Sequence, residues 1–157
     1  MRIALQAEPF DPGVLLSDFT RGRSETGGVV SFTGLCRGEQ GAAEALELEA
    51  YPGFTETAIE QVVEDSVRRF GLDDVLVLHR VGRIRPGEAI VFVATASRHR
   101  RAAFEAADRL MDYLKSRAPF WKKSIGPDGE RWIDPRPEDY QDAERWDPSH
   151  GEQRETD

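Results

Sequence analysis

Apolar and polar residues recur along this chain with two periods, one typical of strands and one typical of helices. The clearest strand signal is Ala45–Tyr51, in which leucine and glutamate alternate as ALELEAY. Such alternation is typical of an antiparallel strand with one buried face. The clearest helix signal is Thr55–Phe70, where aliphatic residues from Ala58 to Val67 recur at helical spacing.

Similar patterns, separated by turn residues, predict the other elements. We expect strands at Arg2–Ala7, Gly28–Gly34, Val75–Val81, Ala89–Ala96, Phe120–Lys123 and Arg131–Ile133, and helices at Pro12–Phe19, from Ser97 to Pro119 and at Glu138–Trp146. Thr55 and Ser97 are expected to cap their helices, and the turn Arg85–Glu88 to close a hairpin. Because hairpins dominate, the sequence predicts an α+β fold with a mainly antiparallel sheet. The glycine-rich motifs of nucleotide-binding folds do not occur.

Length and composition predict one domain and exclude several classes of protein. We expect a domain over residues 1–146 and a disordered tail over 147–157, because the tail contains no apolar residue. A single cysteine, Cys36, excludes an internal disulfide and a cysteine-rich metal site. No apolar run is long enough to span a membrane, and the first residues do not resemble a signal peptide, so we expect a cytoplasmic protein.

Positive charge is concentrated in one part of an acidic chain. The net charge is −8, yet Ser97–Lys123 holds eight basic and three acidic residues. The predicted helix in this window begins with His99 among three arginines, one of them Arg100. A helix N-terminus already carries positive dipole charge, so cations there predict a bound anion. Arg37, just after a predicted strand and beside a glycine-containing loop, is a second candidate anion contact.

Three lysines of the same window are candidates for chemistry. Lys115 lies at the border of the apolar helix face, where its amine could either reach solvent or enter a cleft. Lys122 and Lys123 follow an aromatic pair, and a strand would point them to opposite faces, so at most one should share a cleft with Lys115. Clustered charge and burial lower the pKa of a lysine and make its neutral amine available as a nucleophile or base.

Four segments carry a family resemblance: VVSFTGLCRG at Val29–Gly38, LELEAYPGFTETA at Leu46–Ala58, the whole of His79–Lys123, and RWID at Arg131–Asp134. Together they resemble the large, catalytic subunit family of molybdopterin synthase, from about Ile3 to Trp146. The resemblance implies an α/β hammerhead fold with an additional β-rich subdomain. It also implies a sulfurtransferase of molybdenum cofactor biosynthesis that needs no metal or organic cofactor for this step.

The resemblance further implies partners and site residues. A small ubiquitin-like carrier subunit would deliver sulfur as a thiocarboxylate on its Gly-Gly C-terminus. Cyclic pyranopterin monophosphate would receive the sulfur and become the molybdopterin dithiolene. A homodimer would lie at the centre of a heterotetramer with two carriers. By motif position, the catalytic residues would be Lys115 and Lys122, and the substrate-binding residues Arg37, His99, Arg100, Lys123 and Arg136.

Two other functions remain compatible with the residues themselves. A non-catalytic module that binds a phosphate ligand and docks another protein would use the same anion site without turnover. RNA binding through Ser97–Lys123 would give an affinity that falls steeply with salt. The net charge of −8 disfavours RNA, and we expect no nucleic-acid or membrane partner.

Overall fold

The computed structural model describes residues 1–147, which form eight strands and four α-helices. The strands are β1 (Arg2–Gln6), β2 (Gly28–Leu35), β3 (Ala45–Ala50), β4 (Leu72–Arg80), β5 (Gly82–Ile84), β6 (Ala89–Ser97), β7 (Phe120–Gly126) and β8 (Gly129–Trp132). The helices are α1 (Pro12–Thr20), α2 (Phe54–Phe70), α3 (Arg100–Ser116) and α4 (Pro137–Glu144), with a 3-10 turn at Glu39–Gly41.

The first sheet has the strand order β1-β4-β6-β2, with β1 parallel to β4 and the other neighbours antiparallel. Its central strands read as nearly continuous apolar runs because both faces are covered. Helices α2 and α3 cover one face, where Ile59, Val63 and Leu110 pack against β4 and β6. Helix α1 covers the other face through Phe19. The main core therefore lies between this sheet and its helices.

The second sheet has the order β5-β3-β7-β8 and is antiparallel throughout. Leu48 of β3 is buried against Cys36 and Ile84, and it pairs directly with Lys122 of β7. Directly paired residues of neighbouring strands point to the same face of a sheet. Lys122 therefore faces the interior of the molecule, and Lys123 faces outward, as the alternation of a strand predicts.

A buried arginine joins the two sheets at the turn after β4. Arg80 donates hydrogen bonds from Nη1 to Glu88 Oε2 at 2.9 Å and from Nε to the carbonyl oxygen of Ala7 at 3.2 Å. Glu88 Oε2 also accepts the backbone N–H of Arg85 at 2.9 Å, which closes the predicted turn Arg85–Glu88. The chain can therefore leave the first sheet, add β5 to the second sheet, and return as β6.

The predicted α+β class with mainly antiparallel strands is confirmed, and two predicted helix caps are wrong. Helix α3 begins after His99 as its N-cap, because Ser97 still belongs to β6 and pairs with Gly28 and Leu72. Helix α2 begins after Gly53. Thr55 lies inside that helix, where its hydroxyl donates to the carbonyl oxygen of Pro119 at 2.9 Å. Both predicted cap residues therefore make long-range contacts instead of capping their helices.

The predicted tail at 147–157 lies outside the described residues, apart from Asp147. That residue pairs with Arg117, whose Nη2 lies 3.0 Å from Asp147 Oδ2. The division of the chain into a domain at 1–146 and a tail stays a prediction. Across residues 1–147, none of the helices combines the length and the apolar character that crossing a membrane requires.

We predict that Gly27→Ala destabilises the protein. The Gly27 N–H donates to the carbonyl oxygen of Ser97 at 3.1 Å, and a Cβ at Gly27 would lie 2.2 Å from the carbonyl oxygen of Arg98. Overpacking of this kind typically lowers the free energy of unfolding by about 1–3 kcal/mol. Denaturant titration measures the change. Gly38→Ala is the control, since its Cβ would lie 3.4 Å from Pro86, an ordinary contact; equal stability of the two variants would contradict the prediction.

Candidate functional site

A cavity of about 480 Å³ opens where β2, β7, the end of α3 and the segment before α4 meet. Its apolar wall includes Phe32, Met111 and Leu114. Six titratable side chains also line it: Arg37, His79, Asp112, Lys115, Lys122 and Arg136. Four of these are cationic groups, so the cavity suits a ligand that carries negative charge.

The two lysines reach the cavity from different elements. Lys115 comes from the last turn of α3, and Lys122 comes from the inward face of β7. The pKa of Lys122 is lowered to about 8, chiefly by burial and also by the charge of Lys115, while the charge of Asp139 acts in the opposite direction. At neutral pH roughly a tenth of Lys122 is therefore a neutral amine. Such an amine can act as a nucleophile or a base beside a second lysine.

Arg37 and Arg136 extend the positive charge to the mouth of the cavity. Arg37 follows β2, and its Nη2 lies 3.4 Å from Glu39 Oε1 while most of the side chain stays exposed. Arg136 is the N-cap residue of α4, and its Nη2 lies 3.1 Å from Asp139 Oδ1. Because a guanidinium carries five N–H donors, both arginines can bind a further anion while keeping these partners.

His99 and Arg100 lie at the other end of α3 and do not line this cavity. Arg100 is the first residue of the helix and Lys115 the last but one, so at about 1.5 Å per residue they are ~22 Å apart. Lys123 also lies elsewhere, with its Nζ 2.8 Å from Glu130 Oε2 and 5.5 Å from the centre of the Trp132 ring. One chain thus brings together four of the seven predicted residues: Arg37, Lys115, Lys122 and Arg136.

The sequence reasoning did not include His79 among the candidate site residues. The imidazole stacks on Phe120 with ring centres 4.2 Å apart, and it lines the cavity. Its Nδ1 lies 2.8 Å from the carbonyl oxygen of Arg80. A carbonyl only accepts, so we assign the proton to Nδ1 and leave Nε2 as an acceptor. A histidine within an otherwise apolar strand was the available signal, since buried polar side chains need partners.

The sequence reasoning also missed Asp112, which connects α3 to the C-terminal segment. Its Oδ2 accepts hydrogen bonds from Arg145 Nη2 and Trp146 Nε1, both at 2.6 Å. These contacts hold α4 against α3 and so bring Arg136 to the cavity. The available signal was spacing, because Asp112 and Lys115 are three residues apart and share one side of the helix.

The donor groups of the described residues do not suggest a metal centre. Within residues 1–147, no three His, Cys, Asp or Glu side chains group so that they could hold a metal ion. The thiol of Cys36 is buried, with Sγ 3.7 Å from the carbonyl oxygen of Ile84. Burial raises the pKa of this thiol, which disfavours a thiolate nucleophile.

Comparisons with known proteins agree on one family. The model of the family described as MoaE protein matches residues 5–117. A molybdopterin synthase catalytic subunit of Caulobacter vibrioides is 65% identical over 147 residues, covering 94% of this chain and 98% of that protein. The solved structure of a molybdopterin biosynthesis MoaE protein from Burkholderia ambifaria is 42% identical, covers 92% of this chain and 96% of that chain, and gives a TM-score of 0.78.

A more distant structure shares the fold. It comes from Helicobacter pylori and is described as a protein–protein complex of subunits 1 and 2 of molybdopterin-converting factor. The similarity is 18% identity with a TM-score of 0.74, over 85% of this chain and 91% of that chain. At this identity the likeness shows the fold alone.

We predict that His79 makes the protein less stable in acid. Burial lowers the pKa of His79 to about 4 from 6.5. Below pH 6.5 the unfolded chain takes up a proton that the folded protein refuses until about pH 4, so the free energy of unfolding falls across that window by at most about 3 kcal/mol. Urea titrations at several pH values measure how the free energy of unfolding depends on pH. This dependence should be weaker in His79→Phe than in the wild-type protein. The exposed His99→Phe control should keep the full pH dependence, and an identical pH dependence for both would contradict the assignment.

We also predict that Lys115→Met raises the pKa of Lys122. The substitution keeps an apolar stem but removes the charge that disfavours the Lys122 ammonium. A titration of the Lys122 side chain followed by NMR measures the pKa directly. Lys123→Met also removes one positive charge, but from the outer face of β7, and serves as the control. The idea fails if the pKa of Lys122 responds equally to both substitutions.

Proposed function

The chain belongs to the MoaE family of molybdopterin synthase catalytic subunits, enzymes of sulfur transfer, and we propose that sulfur transfer takes place in the cavity at Lys115 and Lys122. The observation that carries this proposal is a lysine whose pKa is lowered to about 8 beside a second lysine, in one cavity. A non-catalytic binding module would not require an amine with a lowered pKa. The motifs DYLK and FWK that supply the two lysines belong to the family resemblance.

The sulfur donor in this proposal is a carrier subunit whose Gly-Gly C-terminus ends in a thiocarboxylate. The sulfur anion attacks a pterin carbon that carries an oxygen of the cyclic phosphate, so that a carbon–sulfur bond forms. The carbon–oxygen bond breaks and the opened phosphate keeps its electron pair, which leaves the carrier joined to the pterin as a thioester. Water then attacks the acyl carbon, so that the carrier leaves as a carboxylate and the sulfur stays on the pterin as a thiolate. Lys115 and Lys122 stabilise negative charge on the acyl oxygen, and the neutral fraction of Lys122 accepts the proton of the water.

The proposed acceptor is cyclic pyranopterin monophosphate, whose phosphate suits the arginines at the mouth of the cavity. Arg37 and Arg136 supply bidentate donors from the same chain. His99 and Arg100 add to the pocket if a second copy of the chain delivers them. This requirement follows from the ~22 Å of helix between Arg100 and Lys115, because one chain keeps the two groups apart.

An apolar groove beside the cavity supports such a homodimer. Strand β2 is an edge strand of the first sheet, and a groove of about 390 Å³ runs between it and α3. Phe32 is 44% exposed and Phe104 is 62% exposed there. Phe32 and Met111 line both the groove and the cavity, so a chain bound in the groove would lie next to the lysines.

The carrier body requires a second surface. The outer face of β7 and β8 exposes Trp121 and Trp132 beside Lys123, and aromatic residues are enriched in protein interfaces. We assign this face to the carrier, with Lys123 as a contact outside the cavity. The full assembly would then be a heterotetramer of two catalytic subunits and two carriers.

Two inactive variants should restore activity when they share a dimer. Lys115→Ala and Arg100→Ala should each lose most turnover with thiocarboxylated carrier and pterin. Co-expression with two different tags gives dimers in which one site has both native residues and the other lacks both. Random pairing should therefore recover about a quarter of the wild-type rate, as follows for a two-fold symmetric dimer.

The same experiment separates the parts of the proposal. Without recovery, Arg100 would act within its own chain or not at all, and the shared site would be wrong. Near-normal turnover of Lys115→Ala alone would overturn the catalytic assignment. Lys123→Ala is a matched control for the loss of a lysine, since it should impair carrier binding more than the rate at saturating carrier. Sedimentation of each variant should show whether it remains a dimer.

A further inference from the structure

A buried carboxylate stands next to the proposed site without lining the cavity. Asp139 lies in the first turn of α4 and is only 7% exposed. Its Oδ2 accepts the backbone N–H of Arg136 at 2.8 Å, and its Oδ1 pairs with Arg136 Nη2 at 3.1 Å. One carboxylate thus caps the helix and holds the side chain of the cavity arginine.

The same carboxylate interacts with both lysines. Burial by itself would raise the pKa of Asp139, but hydrogen bonds from Arg136 and the charge of Lys115 outweigh it and lower that pKa. In return, Asp139 stabilises the ammonium form of Lys122. Asp139 is therefore ionised at neutral pH, and its charge acts on Lys115, Lys122 and Arg136 together.

The other carboxylate near these cations is already engaged. Asp112 lines the cavity, but its Oδ2 accepts three hydrogen bonds, two from Arg145 and one from Trp146. Glu138 and Asp142, on either side of Asp139 in α4, are exposed. Asp139 is therefore the buried carboxylate of α4 whose charge acts on the lysines. The remaining charged or titratable groups around the cavity are Arg37 after β2, His79 on β4 and Asp112 on α3.

We propose that Asp139 is a positioning residue of the sulfur-transfer site, which orients Arg136 toward the anionic substrate and sets the charge balance between Lys115 and Lys122. The effect of Asp139 on turnover rests on the proposed function. Its effect on the charge of Lys122 can be measured in the chain alone. Removing the charge while keeping the shape should free Arg136 and leave the two lysines without their counter-charge. Lys122 should then be neutral more often.

The test compares Asp139→Asn with Glu138→Gln, which removes one exposed charge from the neighbouring position. Asparagine retains an oxygen that can accept the Arg136 N–H, so α4 keeps its cap. The first readout is the rate at which a limiting acylating reagent labels Lys122 in the chain alone at pH 7, with Lys123 resolved by tandem mass spectrometry. Asp139→Asn should speed this labelling about 3- to 10-fold, because losing a neighbouring opposite charge favours the neutral amine. Glu138→Gln should leave the labelling rate nearly unchanged.

The second readout is steady-state turnover with thiocarboxylated carrier. Asp139→Asn should raise KM for the pterin roughly 10-fold through the loss of an oriented charged contact, and it should shift the pH profile of kcat toward acid. Asp139→Glu, which restores the charge, should recover the wild-type labelling rate and much of KM. This rescue also separates a charge effect from a folding defect.

The outcomes distinguish the two proposals. Unchanged labelling and KM in a folded Asp139→Asn variant would overturn the positioning role. Should Asp139→Asn fail to fold, Asp139→Ser takes its place, because serine removes the charge but keeps an oxygen that can accept the Arg136 N–H. A folded Asp139→Ser variant that labels Lys122 at the wild-type rate would overturn the positioning role. If the wild-type protein showed no turnover with authentic carrier and pterin, the proposed function would be overturned. Faster labelling of Lys122 in Asp139→Asn would still support the positioning role.

Discussion

The stack between His79 and Phe120 is the contact on which the site depends. His79 ends the core of β4 in the first sheet, and Phe120 begins β7 in the second, so their rings join the two sheets. Two residues after Phe120, the alternation of the strand points Lys122 to the same side. If the stack were lost, β7 could still pair with β3, but the start of β7 would lose its ring contact with the first sheet.

This arrangement places the amine of Lys122 where water solvates it poorly. The surrounding structure offsets the free-energy cost of burying that amine. Burial and the nearby Lys115 both disfavour the charged form of Lys122. The apolar core beneath the helices is extensive, and it stabilises a frame in which such a local cost is tolerated. The buried Arg80, held by Glu88 and by the carbonyl oxygen of Ala7, connects the end of β4 to the end of β1 and the start of β6 beside the site.

The C-terminal helix completes the site from outside the frame. Arg145 and Trp146 bind Asp112 of α3, so charged contacts attach the C-terminal end of α4 to α3. At the other end, Asp139 binds Arg136 within α4 and its cap. The same helix α3 carries Lys115 at one end and Arg100 at the other. One chain therefore holds four of the seven predicted residues in the cavity and two others, His99 and Arg100, at the far end of α3. This is the geometry expected of a site shared between copies.

The sequence by itself determined the α+β class, every described strand except β5, the helices, and the opposite faces of Lys122 and Lys123. Periodicity and strand alternation are local properties. Its motifs also pointed to Lys115, Lys122, Arg37 and Arg136, which meet in one cavity. The caps at Thr55 and Ser97 failed because contacts with Pro119 and with neighbouring strands outweighed local preference. Only the tertiary structure decided that His79 and Asp112 line the cavity, that Asp139 binds Arg136 beside it, and that Arg100 does not reach it within one chain. These relations depend on how two sheets and two helices pack, and residues far apart in sequence carry no local pattern that records their distance in space.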